Sequence, residues 1–167
     1  MSIQIAILTV SDRSFRGERE DLSGPALQAE VTGLGWQVWR ADIVPDEVYR
    51  IAGTLAVWAD SGQADVILTT GGTGFAPRDV TPEATRRVVE RLTPGLDEAM
   101  RAASLKITAH AMLSRAVSGI RKATLIVNLP GSPRGAVENF QVIAPVLPHA
   151  VELLREARDA EQGHRSI

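Results

Sequence analysis

The chain has no cysteine among its 167 residues. That excludes disulfides, thiolate metal sites and a cysteine nucleophile, and it fits a reducing compartment. Charge of one sign is not in excess either. Eighteen basic residues against 20 acidic ones leave a formal net charge of −2, so the chain as a whole is no trap for a polyanion and nucleic acid is not an expected partner. No apolar run approaches the roughly 20 residues of a membrane span. The opening Met1-Ser2-Ile3-Gln4 carries no basic region of the signal-peptide type. Internal repeats and low-complexity tracts are missing too. The expectation is a cytoplasmic, membrane-free globular protein. Its length suits one domain able to bury about two-thirds of its unfolded surface. That domain is expected over residues 1–160, followed by a polar, frayed tail over 161–167.

What is present alternates. Ile3 to Val10, Gln37 to Val44, Asp65 to Thr70 and Ala123 to Leu129 are short, apolar and rich in β-branched residues, as buried strands are. Between them lie helical patterns: Pro25 to Leu34, Pro45 to about Asp60, Thr81 to about Leu92, and Leu96 to Ser104 beyond the Pro94-Gly95 break. Gly135 to Ile143 and Pro148 to Ala160 close the domain. Strands alternating with helices imply an α/β fold with a mostly parallel sheet covered on both faces. Ligands of such sheets sit outside the carboxyl ends of the strands. Three strands end there in unusual sequence: Ser11-Asp12-Arg13, Thr69 to Gly74, and Asn128 to Pro133. The polar stretch Ser11 to Ser23 is long for a strand-to-helix loop, and such loops are often functional.

The sharpest segment is Thr69-Thr70-Gly71-Gly72-Thr73-Gly74-Phe75-Ala76-Pro77-Arg78-Asp79-Val80-Thr81-Pro82-Glu83. Its glycines allow close approach of a ligand to the backbone, and successive amides in such a turn form an anion nest. It is no P-loop, because no lysine follows the glycines, and no dinucleotide fingerprint, because Pro77 occupies the third glycine position. The alternative is a purely structural turn. Asp79 stands close by. A carboxylate about 4 Å from a phosphate charge costs roughly 4 kcal/mol at an effective dielectric near 20, unless a cation lies between. Mg²⁺, which takes a carboxylate or two plus phosphate oxygens, inverts that sign. Asp79 therefore reads as a metal or catalytic acid, against the plainer roles of helix-opening acid or partner of Arg78. Asp46 reads alone as a helix start. Asn128 and Ser132 are polar groups on the rigid Asn128-to-Pro133 turn. Lys106, Arg121 and Lys122, near Ser114-Arg115, form either a basic ligand site or a solvated face. His110, His149 and His164 share no ligand or triad spacing, and Trp36, Trp39 and Trp58 suit core or interface.

Six segments in order resemble one family: TVSDR (Thr9 to Arg13), GEREDLSGP (Gly17 to Pro25), VPDE (Val44 to Glu47), TTGGTGFAPRDVTPEAT (Thr69 to Thr85), MLSRAVSGIR (Met112 to Arg121) and NLPGSP (Asn128 to Pro133). They resemble the MogA/MoaB family of molybdenum-cofactor biosynthesis proteins, seen also as the G domain of gephyrin-like proteins. The resemblance implies a three-layer α/β/α fold and a homotrimer. It implies a molybdopterin adenylyltransferase that joins AMP from ATP to the terminal phosphate of molybdopterin. The family's two key aspartates match Asp46 and Asp79, carried over as catalytic residues and Mg²⁺ ligands. Its nucleotide and phosphate site falls on Ser11, Gly71, Gly72, Thr73, Gly74, Pro130 and Gly131. Its pterin side falls on Ser114, Arg115 and Ser132. A molybdate-insertion protein is the implied partner. A non-catalytic molybdopterin carrier or scaffold of the MoaB type is the alternative.

Overall fold

Alternation along three strands decides the architecture. In β1 (Gln4–Val10) Ile5 and Ile7 face one way and Ala6, Leu8 and Val10 the other. In β3 (Val66–Thr70) Val66 and Leu68 oppose Ile67, and in β6 (Thr124–Leu129) Leu125, Val127 and Leu129 oppose Ile126. Side chains on neighbouring strand positions point to opposite faces, so a run that is apolar throughout needs cover on both. One face is covered by α2 (Ser23–Gly33), α5 (Pro94–Leu105), α6 (Pro133–Ile143) and α7 (Leu147–His164), through Leu27, Met100, Phe140 and Val151 among others. The other is covered by α3 (Val48–Asp60) and α4 (Thr81–Val88), through Ile51, Leu55, Trp58 and Ala84. The result is the expected three-layer α/β/α fold. This computed structural model describes residues 2–164.

The six-stranded sheet has the order β2-β1-β3-β6-β5-β4, where β2 is Gln37–Val44, β5 is Ser118–Arg121 and β4 is Arg91–Leu92. The first four strands run parallel. The chain winds from β1 outward to β2, then back across β1 to β3. This reversal opens a crevice at the strand carboxyl ends, where ligands of such folds bind. Thr9, Thr70 and Leu129 stand in register there, so the three strands finish on one line.

Several boundaries differ from the sequence pattern. The helix expected from Thr81 to about Leu92 stops at Val88, because Val89 turns extended and Arg91–Leu92 pairs antiparallel with β5. Gly119 permits that pairing: a Cβ there would lie 2.7 Å from the Val89 Cβ. Pairing across the sheet thus overrides local helix preference, and it supplies the antiparallel edge that periodicity did not indicate. α5 begins at Pro94 rather than Leu96, with proline tolerated in the first turn. A one-turn helix, α1 (Asp12–Phe15), interrupts the loop expected from Ser11 to Ser23. α7 continues to His164, into the segment expected as a frayed tail; residues 165–167 of that tail lie outside the described residues.

Candidate active site

Four strands deliver polar sequence to the crevice. Ser11 follows β1, Asp46 follows β2, Gly71 follows β3 and Pro130 follows β6. The strand ends are tied together by backbone bonds from Ser11 N to Val44 O (3.0 Å) and from Gly71 N to Leu129 O (3.2 Å). Gly71 and Gly72 take φ of +104° and +67°. A Cβ on Gly71 would sit 2.3 Å from the Val10 carbonyl oxygen, so only glycine lets β3 turn away this close to β1. Thr81 Oγ1 then donates to Gly71 O at 2.8 Å and closes the turn. Among the described residues, the amides of Gly72, Thr73, Gly74 and Gly131 donate to no protein acceptor. Unspent amides in a glycine turn are what an anion nest requires.

The glycine turn separates two cavities. The first, about 340 Å³, is lined by Ser11, Asp46, Gly71, Gly72, Asp79 and Gly131, together with Arg19, Glu20 and Asp21. The second, about 280 Å³, is lined by Thr73, Gly74, Ser114 and Pro130, with the apolar Met100, Ile107 and Leu113 and the polar Asp97, Arg101 and His110. Ser132 borders both. Its hydroxyl caps α6 by accepting from Gly135 N at 3.1 Å, and the positive end of that helix faces the crevice. The residues grouped in sequence as one phosphate site are therefore divided, with Thr73, Gly74 and Pro130 on the far wall.

Asp46 and Asp79 share the first cavity. Asp46 Oδ2 accepts the Asp12 amide at 2.8 Å, and the Asp46 amide returns a bond to Asp12 Oδ1 at 3.0 Å. Arg78 Nη2 donates to that same Oδ1 at 2.9 Å, so an ion pair on Asp12 braces the acid beside it. Asp79 Oδ2 accepts the Ala76 amide at 2.9 Å. Each aspartate thus spends one oxygen on backbone, and its Oδ1 has no hydrogen-bond partner among the described residues. Burial pushes the Asp46 carboxyl up from its ordinary range. The Asp12 amide pulls it down, and the negative charges of Asp12 and Asp79 push it up again. Arg78 instead holds the Asp12 carboxyl below its ordinary range. Among the described residues no group of three or more acids and histidines is arranged to hold a metal by itself. Two carboxylates with one free oxygen each, beside free amides, suit a hard cation that completes its shell with phosphate oxygens.

Other expected site residues fall elsewhere. Arg115 lines neither cavity: its guanidinium is bound to the Gly74 and Asp79 carbonyls and to Glu83. Asn128, expected at the rim, lies instead in the buried floor of the second cavity, with Nδ2 donating to Thr69 Oγ1 at 3.0 Å and Thr85 Oγ1 at 2.9 Å. Arg121 and Lys122 pair with Asp60 beside the start of β6, remote from the strand carboxyl ends, and so form no ligand cluster. Asp12 lies at the rim expected for Ser11-Asp12-Arg13, but its bonds to Asp46, and the places of Asp97 and Arg101 in the second cavity, come from the structure alone. The TVSDR segment contained a signal for Asp12, whereas nothing local marked the other two.

A family model described as a probable molybdopterin binding domain matches residues 6–149. The chain belongs to this family. It is 43% identical to the molybdopterin adenylyltransferase of Helicobacter pylori strain J99, over 92% of this chain and 88% of that one. It is 48% identical to the molybdenum cofactor synthesis protein cinnamon of Drosophila melanogaster, over 92% of its own length but only 26% of that longer protein. Among solved structures, the molybdopterin biosynthesis enzyme MoaB of Thermus thermophilus superimposes with a TM-score of 0.86 at 51% identity, covering 91% of this chain and 96% of that one. Family membership accounts for the six ordered segments noted in the sequence. No helix among the described residues is long and apolar enough to cross a membrane.

Proposed function

We propose that this chain is a molybdopterin adenylyltransferase of the cytoplasm. It transfers AMP from ATP to the terminal phosphate of molybdopterin and releases pyrophosphate. The observation that carries this reading is the pair of cavities meeting at the glycine turn and Ser132, one acidic with free amides, the other with apolar walls. A triphosphate suits the first and a pterin the second. The reacting atoms would then meet at the shared border.

The nucleophile needs no activation by serine or histidine. A phosphate monoester is already largely ionised near neutral pH, its second pKa being about 6. One of its oxygens bonds to the α-phosphorus of ATP, the bond to the β-phosphate's bridging oxygen breaks, and pyrophosphate leaves with that electron pair. The barrier lies in bringing two polyanions together in line, so positioning and charge compensation dominate. Asp46 and Asp79 would hold a Mg²⁺ ion, which supplies positive charge against the triphosphate when bound. The amides of Gly72 and Gly131, with Ser11, hold phosphate oxygens, and Gly71, whose own amide is bonded to Leu129 O, lets the phosphate approach the turn closely. Thr73, Gly74, Ser114, Pro130 and Ser132 bound the pterin side. The exposed apolar side chains Leu105, Ile107, Met112 and Leu113 support assembly into a homotrimer, and a molybdate-insertion protein is the natural recipient of the product.

The test is pyrophosphate release on mixing the protein with ATP, Mg²⁺ and molybdopterin. Release that depends on both substrates is the expected result. Molybdopterin binding with no pyrophosphate would make the chain a carrier or scaffold.

A further inference from the structure

The segment from Gly74 to Asp79 carries an acid of the proposed site, yet it has no regular secondary structure and its middle, Phe75 to Arg78, is exposed. Within it, one backbone bond joins Asp79 N to Ala76 O (2.9 Å) and one side-chain bond joins Ala76 N to Asp79 Oδ2 (2.9 Å). Arg115 adds what the segment lacks. Its Nε donates to Gly74 O at 2.8 Å and its Nη2 to Asp79 O at 2.6 Å, so one rigid guanidinium spans the two ends of the loop. Its backbone amide donates to Thr73 O at 2.8 Å, and Nη1 is paired with Glu83 on α4. The residues flanking Arg115 are held in turn by Arg101, which lines the apolar cavity and donates through Nη1 to the carbonyls of Ser114 and Ala116 at 3.3 Å each.

We propose that Arg115 is a positioning residue rather than a pterin ligand. It fixes the span of the 74–79 loop, and hence the place of Asp79, and it ties that loop to the wall of the pterin cavity. The ion pair with Glu83 is too exposed to matter much as charge. The planar fork matters, because it reaches two carbonyls and a carboxylate at once, which a lysine ammonium cannot reproduce. This rests on the adenylyltransferase reading, but its test fails separately.

The experiment compares wild type with R115K, R115M and E83Q. It reads kcat and KM for both substrates, equilibrium binding of molybdopterin, and thermal midpoint. In R115K and R115M alike kcat should fall on the order of 10²-fold, the cost of an ångström-scale misplacement, with molybdopterin affinity within about twofold of wild type. E83Q, which leaves both carbonyl bonds, should lose less than R115K. The proposal is overturned if R115K retains wild-type kcat, or if either Arg115 variant weakens molybdopterin binding with kcat at saturation unchanged. Should R115M fail to fold, R115K and E83Q still decide. An inactive wild type would sink the adenylyltransferase reading instead.

Discussion

The two cavities on either side of the glycine turn are similar in size and opposite in character. One has Glu20, Asp21, Asp46 and Asp79 on its walls and a single lining arginine, Arg19; the other has Met100, Ile107, Leu113 and Pro130 with a few polar groups. One short turn forms a wall of both. Gly71 and Gly72 face the acidic side while Thr73 and Gly74 face the apolar side. The acidic side is built for compensating charge, which depends on a few atoms placed closely. The apolar side is built for enclosing a flat organic group, which depends on shape and burial. Damage to the first should therefore appear in turnover and damage to the second in affinity.

The largest effect that could break this contrast is on the acidic side. Asp79→Asn and Asp46→Asn should each lower kcat by about 10²–10³-fold, the usual cost of removing one preorganised charge-compensating group. Equilibrium binding of molybdopterin should change little in either. If pterin binding were lost while turnover at saturation stayed intact, the assignment of the two cavities would be reversed.

A smaller effect is expected across the turn. Arg101 holds the Ser114 and Ala116 carbonyls that form the pterin wall. Replacing it by methionine should weaken molybdopterin binding by about 10–100-fold, in line with the roughly 1.5–3 kcal/mol of hydrogen bonds to a charged group. ATP affinity should be unchanged, and a parallel loss of both affinities in titration calorimetry would count against separate sites.

The smallest effect concerns pH. Asp97, buried beneath the pterin cavity, accepts from Ser118 N at 2.9 Å and Ser118 Oγ at 2.6 Å. Burial pushes its carboxyl up, and the Ser118 bonds pull it partly back. An acid whose folded pKa is raised binds its proton more tightly when folded. Its stabilising share is therefore full below the unfolded pKa of about 3.9 and is lost as pH rises through the folded value. In Asp97→Asn that dependence disappears. The thermal midpoint of the wild type relative to the variant should thus decline as pH rises from about 3 toward neutrality, and a rising difference would refute the burial argument.

The parallel strands, the crevice at their ends and the division into strand and helix were visible in runs such as IQIAILTV and VILTT, because a strand buried on both faces needs apolar residues throughout. Asp79 stands out by its place after the glycines and Asp46 only through family resemblance; the structure brings the two into one cavity. The antiparallel edge was not legible. Ser118–Arg121 is short, contains a glycine and pairs with a segment that locally resembles a helix end. The partners of Arg115 are illegible for a similar reason: a cation near a proposed anion site suggests a ligand contact, and nothing in its own neighbourhood in sequence names Gly74 and Asp79 as the acceptors.

Local sequence determined the alternation of strands and helices, the glycine turn and the inventory of chemistry, with no thiol in the chain and an acid, Asp79, close after the glycines. These follow from local rules: alternation of side chains, the φ preference of glycine and the reach of neighbouring residues. Tertiary structure alone decided that the turn is a partition between two cavities, that Asp12 braces Asp46 across 34 positions, and that Arg115 closes a loop 36 positions away. Those contacts depend on which strands lie side by side in the sheet, and that order is set by packing of the whole chain rather than by any one segment.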